Sequence, residues 1–174
     1  YVLKHFSTKN YRIIIPSLPV YDLPLLKTNV KNLAKYIKKF IEYKQLNDVI
    51  LMGNSLGGHI ALYYSKTYPE DVKAMVLTGS SGLYEKAEVL FDPKVATREV
   101  IDDVYETLNN RRKTIKVLAI AKSAIRHNMA KDLPKMKMPV CIIWGKNDIV
   151  TPPLVAEEFN RLLPNSDLYW IDNC

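Results

Sequence analysis

The sequence predicts an α/β fold: a mostly parallel sheet covered by helices, with a helical insertion between two of its strands. Three observations predict it. Strand-like and helix-like segments alternate along the chain, the order that builds a parallel sheet with helices on both faces. The runs Val49–Met52, Val72–Thr78 and Val140–Trp144 are apolar on both faces, as suits central parallel strands. From Gly79 to about Pro139 the alternation breaks, because two helical patterns follow each other with no strand between them. A chain of 174 residues suits one domain, and a domain of this size buries about 70% of its unfolded surface, enough for a core without disulfides.

Taken in order, a short helical start leads to Tyr11–Ile15, which reads as a strand ended by Pro16 and Pro19. A helix over Lys27–Leu46 follows. In it Val30, Leu33, Ala34, Ile37, Phe40 and Ile41 recur at helical spacing, while Lys27, Lys31, Lys35, Lys38, Lys39 and Lys44 fill much of the rest. Val49–Met52 ends at Gly53, a helix from about Leu56 to Tyr68 stops at Pro69, and Val72–Thr78 is the next strand. Helical stretches near Thr97–Asn109 and Arg111–His127 read as an inserted cap. Val140–Trp144 then resumes the sheet, a helix lies near Pro153–Leu163, and Asp167–Ile171 is the last strand. Residues 1–79 are thus the first part of the core, residues 80–138 the cap and residues 139–174 the second part of the core.

The net charge of +7 raises the question of nucleic-acid or membrane-surface binding. Many of the lysines sit on the one amphipathic helix, where they read as its solvated face, and no basic–aromatic interleaving accompanies them. No apolar run approaches the roughly 20 residues of a membrane span, and the first residues carry no signal-peptide pattern. Cys141 lies in a strand-like run and Cys174 at the last position, a pattern that suits a reducing compartment, so a cytoplasmic location is expected. Histidines and cysteines are scattered without metal-ligand spacing, and Gly53–Gly58 lacks both the spacing and the lysine of a phosphate loop. The expectation is a small-molecule substrate with no cofactor, metal, nucleic acid or membrane, and no oligomeric state is specified.

Chemistry enters at Gly53-Asn54-Ser55-Leu56-Gly57, a G-x-S-x-G pattern lying between an apolar strand and an amphipathic helix. A strand turning sharply into a helix forces its corner residue into strained geometry, and the glycines two positions to either side remove side chains that would collide there. Ser55 is thereby presented above the sheet. The Leu56 N–H and the positive end of the helix dipole then point toward an anion forming on a substrate. With Gly58 following, "GNSLGGHIAL" resembles the nucleophile elbow of the serine-dependent members of the α/β-hydrolase family. A serine here departs from the haloalkane dehalogenase and epoxide hydrolase branches, which carry aspartate.

That resemblance implies further site residues. Trp144-Gly145-Lys146-Asn147-Asp148, with Pro152 and Pro153 beyond, is similar to the segment that supplies the acid of the family's triad, which makes Asp148 the candidate and Asp172 its rival. The family's histidine follows the acid in sequence, yet the histidines here are His5, His59 and His127. His59 reads as a packing residue one turn beyond Ser55, and His5 and His127 as surface or capping residues. "WIDNC" resembles the strand that runs into a Gly-His pair in relatives, so the base is expected within a few residues after Cys174. Without it Ser55 has a hydroxyl pKa far above neutrality and no ester hydrolysis is expected. Relatives also carry a His-Gly-rich loop supplying a second oxyanion donor, and nothing like it precedes Tyr1. Pro16–Asp22 lacks the usual Gly-x-Gly, and because relatives run longer before the cap helices, residues are expected to be missing between Glu85 and Lys86.

The reaction these residues point to is attack of Ser55 on a carbonyl with an acyl-enzyme intermediate. Asn54 and the helical cap resemble the branch that cleaves carbon–carbon bonds of aromatic ring-fission products, in which an arginine placed like Arg111 holds a substrate carboxylate. Arg111 also reads as an ordinary charge at a helix start. Ester and thioester hydrolysis are equally open, and a non-catalytic binder of the same fold is the alternative from another class.

Overall fold

The computed structural model describes residues 5, 6, 9, 11–83, 105 and 109–174. Four strands, β1 (Val49–Asn54), β2 (Val72–Thr78), β3 (Val140–Gly145) and β4 (Ser166–Ile171), form one sheet in the order β1-β2-β3-β4, every pair parallel. Parallel neighbours need a crossover between them. Three crossovers contain helices: α2 (Leu56–Thr67) between β1 and β2, α3 (Arg111–Arg126) between β2 and β3, and α4 (Pro153–Leu162) between β3 and β4, while α1 (Val30–Tyr43) precedes β1. Of the three apolar runs expected to be central, β2 and β3 are, whereas Val49–Met52 lies in β1, an edge strand of the described sheet. Met75 and Leu77 of β2 and Val140, Ile142 and Trp144 of β3 are all buried, with Leu33, Leu62 and Phe159 of the helices closing over them.

Local chemistry sets the helix ends. The lysine pattern begins at Lys27, but α1 begins at Val30, because Asn29 takes the N-cap and its side chain accepts the Asn32 N–H at 2.9 Å. Leu25–Lys27 is left as a separate 3₁₀ turn, and Thr28, buried, donates its hydroxyl to the Pro24 carbonyl. At the other end the chain leaves α1 at Lys44, and Gln45 adopts a left-handed φ of 51°, so Leu46 falls outside the helix.

Tyr11–Ile15 is not a strand. These residues have no regular structure, and both Tyr11 and Ile15 are exposed. A strand exists by virtue of its ladder of hydrogen bonds, and no described segment pairs along the outer edge of β1, where Ile50 and Met52 are exposed as well. The helical stretch read near Thr97–Asn109, most of the short helical start and the break read at Glu85–Lys86 lie outside the described residues, apart from isolated positions.

One lysine of α1 departs from the solvated-face expectation. Lys38 Nζ stands 2.8 Å from Asp71 Oδ2, and the buried Tyr64 hydroxyl donates to the same oxygen, joining α1, α2 and the turn Pro69–Asp71. Burial raises the Asp71 carboxyl, but the hydrogen bonds from Lys38 and Tyr64 together outweigh it and hold its pKa below 3.8. Burial, followed by the hydrogen bond to Asp71, pushes the Tyr64 phenol well above its usual value. Because Asp71 titrates lower in the folded than in the unfolded chain, the network stabilises fully above the unfolded value and is lost as pH falls through the folded one. Tyr64→Phe should therefore cost about 1 kcal/mol in urea unfolding at neutral pH, allowing for screening at the partly exposed carboxylate. The gap from wild type should close as the pH falls below about 4; a gap independent of pH would show that the carboxylate is not its source.

Candidate active site

Ser55 occupies the corner between β1 and α2 with φ 47° and ψ −119°, a left-handed backbone that costs on the order of 1–3 kcal/mol for a non-glycine residue. The corner is held from three sides. Its N–H donates to the Thr78 carbonyl at the end of β2, and its carbonyl accepts the His59 N–H within α2 and the Ser81 N–H from the loop after β2, each at 3.2 Å. The side chain is left exposed at the carboxyl edge of the sheet. Leu56, half-buried, opens α2, where helix geometry gives its N–H no acceptor within the helix.

Glycine is required here for closeness, and not at every glycine of the motif. A Cβ on Gly53 would lie 2.5 Å from the backbone of Gly57 and Gly58, atoms that cannot move aside. At Gly58 a Cβ would lie 2.2 Å from Oγ of the fully buried Ser80. Gly57 differs: a Cβ there meets nothing within 4 Å, which corrects the expectation that both glycines flanking the corner clear room for it. What Gly57 contributes is its backbone, on which Gly53 packs.

Asp148 lies in the loop after β3. Its Oδ1 accepts the N–H groups of Val150 and Thr151 at 2.9 and 2.8 Å, and its Oδ2 accepts the Thr151 hydroxyl at 2.8 Å. Three donors on a carboxylate with about four acceptor directions fix its orientation and leave one direction open. The loop is anchored from below by Trp144, whose buried indole donates to the Thr151 carbonyl at 2.7 Å. Gly79, at the end of β2, is where the two loops meet. The position of a Gly79 Cβ would be 3.3 Å from Asp148 Oδ2 and 3.5 Å from Asn54 Nδ2. The rival Asp172 is turned outward and pairs with Lys146 at 2.6 Å.

Of the remaining candidates, Asn54 lies at this cluster and the others separate from it. Asn54 is beside Ser55, but both its amide hydrogens go to Thr78, to the carbonyl at 3.0 Å and the hydroxyl at 3.1 Å. Arg111 is exposed at the first position of α3, and no contact between it and Ser55 or Asp148 is found among the described residues. His59 is buried in α2 with its Nε2 on the His127 carbonyl at 2.9 Å, and His127 is the C-cap of α3 with Nδ1 on the Ser123 carbonyl at 2.7 Å. Both rings serve the junction between α2 and α3. Thr151 and Ser81 were not singled out from the sequence. A hydroxyl residue three positions after a loop aspartate is a local signal that could have found Thr151; Ser81 is brought to Ser55 only by the pairing of β1 with β2.

A sequence profile described as alpha/beta hydrolase fold matches residues 2–108. Among solved structures, MGS-MChE2, an alpha/beta hydrolase enzyme from the metagenome of sediments from the lagoon of Mar Chica, Morocco, is 58% identical with a TM-score of 0.89, covering 99% of this chain and 73% of that one. The chain is also similar to monoacylglycerol lipase ABHD6 of Bos taurus, 23% identical over 97% of this chain and 63% of that protein. A 2-hydroxy-6-oxononadienedioate/2-hydroxy-6-oxononatrienedioate hydrolase of Pseudomonas sp is 23% identical over 97% of this chain and 72% of that protein. The chain thus spans less than two thirds of the length of the lipase it matches.

The glycine contacts make opposite predictions for two positions in the motif. Gly53→Ala should lower unfolding stability by at least about 2 kcal/mol, since backbone must shift to admit the methyl group. Gly57→Ala should leave stability within about 0.5 kcal/mol of wild type or raise it through better helix propensity. Urea unfolding of the two variants checks this, and equal losses would contradict the geometry.

Proposed function

Because this chain belongs to the α/β-hydrolase-fold family, we propose that it is a serine hydrolase in which Ser55 attacks a substrate carbonyl and Asp148 orients the base that activates it. The observation that carries this reading is the exposed hydroxyl on a strained left-handed corner, with an oriented carboxylate in the neighbouring loop. The base takes the Ser55 proton as Oγ bonds to the carbonyl carbon. The oxyanion so formed is met by the Leu56 N–H and the N-terminal end of α2. Return of the proton to the leaving group gives the acyl-enzyme, which water hydrolyses by the same steps.

The base must reach both Ser55 Oγ and the open direction of Asp148, a place that neither His59 nor His127, both held at the junction of α2 and α3, occupies. The Cys174 carbonyl accepts the Asn147 N–H at 2.8 Å, which holds Cys174 against the loop that carries Asp148. Asn54 fits better as a brace between β1 and β2 than as an oxyanion donor, with its Oδ1 left for substrate. Residues 80–138 are taken as a cap over the site. Its α3 is tied to the core by the Val30 N–H on Ser123 Oγ at 3.0 Å and by the His59–His127 contact.

Two substrate classes follow from the names of the relatives, an ester such as a monoacylglycerol and a vinylogous diketo acid. Arg111 distinguishes them, because only the second carries a carboxylate for it to hold. On the full-length protein, Ser55→Ala should lower kcat/KM for p-nitrophenyl butyrate by about a thousandfold or more with an unchanged melting temperature. Persistent turnover, or a large loss of stability, would overturn the assignment. If the substrate is the diketo acid, Arg111→Ala should raise its KM about tenfold and leave that of the ester unchanged; equal effects on both would remove Arg111 from the site.

A further inference from the structure

A groove of about 510 Å³ runs between α3 and the chain leading into α1, and neither the Ser55 nor the Asp148 loop lines it. Its chemistry is sorted along its length. On the α3 wall the lining changes from Ile115, Leu118 and Ala119 to Lys122, Ser123 and Arg126. On the facing wall it changes from Leu25 and Leu26 to Thr28, Asn29 and Lys31. Contacts at both ends fix the register of the walls. At one end Lys116 Nζ donates to the Tyr21 carbonyl, and Lys113 Nζ lies 5.7 Å from the Tyr21 ring centroid. At the other the Val30 N–H donates to Ser123 Oγ at 3.0 Å. The apolar stretches therefore lie side by side, and so do the cationic ones.

The apolar end is uncovered. Among its residues α3 buries only Ile120, Ser123 and Ala124, while Leu118 is 55% exposed and Leu26 is 94% exposed. The other end collects positive charge. Lys31, Lys122 and Arg126 are exposed, none of them takes part in an ion pair among the described residues, and no acidic side chain lines the groove. His127, the remaining polar lining residue, has its Nδ1 on the Ser123 carbonyl. Three cations lining one end of the groove without a counter-charge favour an anion there.

We infer that this groove binds an anionic single-chain amphiphile, its carboxylate or phosphate among Lys31, Lys122 and Arg126 and its alkyl tail over Leu25, Leu26, Ile115 and Leu118. The volume falls in the range of about 300–1,000 Å³ common to small-ligand sites. From Ile115 to Arg126 the helix rises roughly 16 Å, a length shared between the headgroup at the cationic end and the near part of the alkyl chain, whose far end extends past Ile115. The site is separate from Ser55 and does not depend on the reaction proposed there.

The test is a titration of the protein with cis-parinaric acid, a fluorescent fatty carboxylate, followed by displacement. Saturable binding is expected, displaced by palmitate and by dodecyl phosphate and at least about tenfold less well by the neutral hexadecanol, one tenfold step being about 1.4 kcal/mol of charge contribution. The double substitution Lys122→Glu with Arg126→Glu should weaken binding at least tenfold, and Lys31→Glu on the opposite wall should weaken it independently, so a fault in α3 alone cannot mimic the result. Circular dichroism melts confirm that each variant is folded. Absence of saturable binding, equal displacement by hexadecanol, or wild-type binding by folded variants of both walls would overturn the proposal. So would binding to phosphatidylserine vesicles without binding of dispersed palmitate, which would make the surface a membrane contact instead.

Discussion

The site rests on a single close contact, the packing of the Gly53 α-carbon against the backbone of Gly57 and Gly58 at the first turn of α2. Only at that separation does the chain turn from strand into helix in one residue, and only then is Ser55 driven to a positive φ with its side chain thrown outward. The strain at the corner is local, and the restraints on it come from elsewhere. Thr78 and Ser81, both brought by β2, bond the backbone of Ser55 on either side. Pairing of β1 with β2 is thus as much a part of the site as the motif itself.

The acid loop is built by a similar logic on the next strand but one. β3 buries Trp144, and its indole holds the Thr151 carbonyl, so the turn that wraps Asp148 is pinned to the core. Gly79 allows this loop and the end of β1 to approach each other over the tip of β2. The order β1-β2-β3 therefore sets how far the hydroxyl stands from the carboxylate, as expected at the carboxyl ends of parallel strands.

The strands were legible from their apolar runs, and Val72–Thr78 matches β2 residue for residue; which of them is central was not, because the run Val49–Met52 is as apolar as β2 and yet forms an edge. Tyr11–Ile15 was misread because composition reports the fitness of a segment for a strand and not the presence of a neighbour to pair with. The start of α1 was missed by three residues because periodicity does not detect a cap, whereas Asn29 does the capping. At the candidate site, local patterns drew attention to Ser55 and Asp148, and the corner expected to be strained has a positive φ at Ser55. The role of Asn54 as a brace, the separation of Arg111 and the hydroxyls of Thr151 and Ser81 depend on register and loop closure, which leave no mark in the sequence. The lysine count was misleading in one respect. Lys38 is half-buried in a network with Tyr64 and Asp71, and Lys31, though exposed, lines the groove beside α3.

Two hydroxyls, Ser55 and Ser81, stand at the corner, and only one of them is carried on the strained turn. Treating the full-length protein with a fluorophosphonate and mapping the adduct by peptide mass spectrometry tests directly whether that turn creates the nucleophile. The account predicts a single adduct on Ser55. An adduct on Ser81 or on any other residue, or none on a protein that hydrolyses esters, would contradict it.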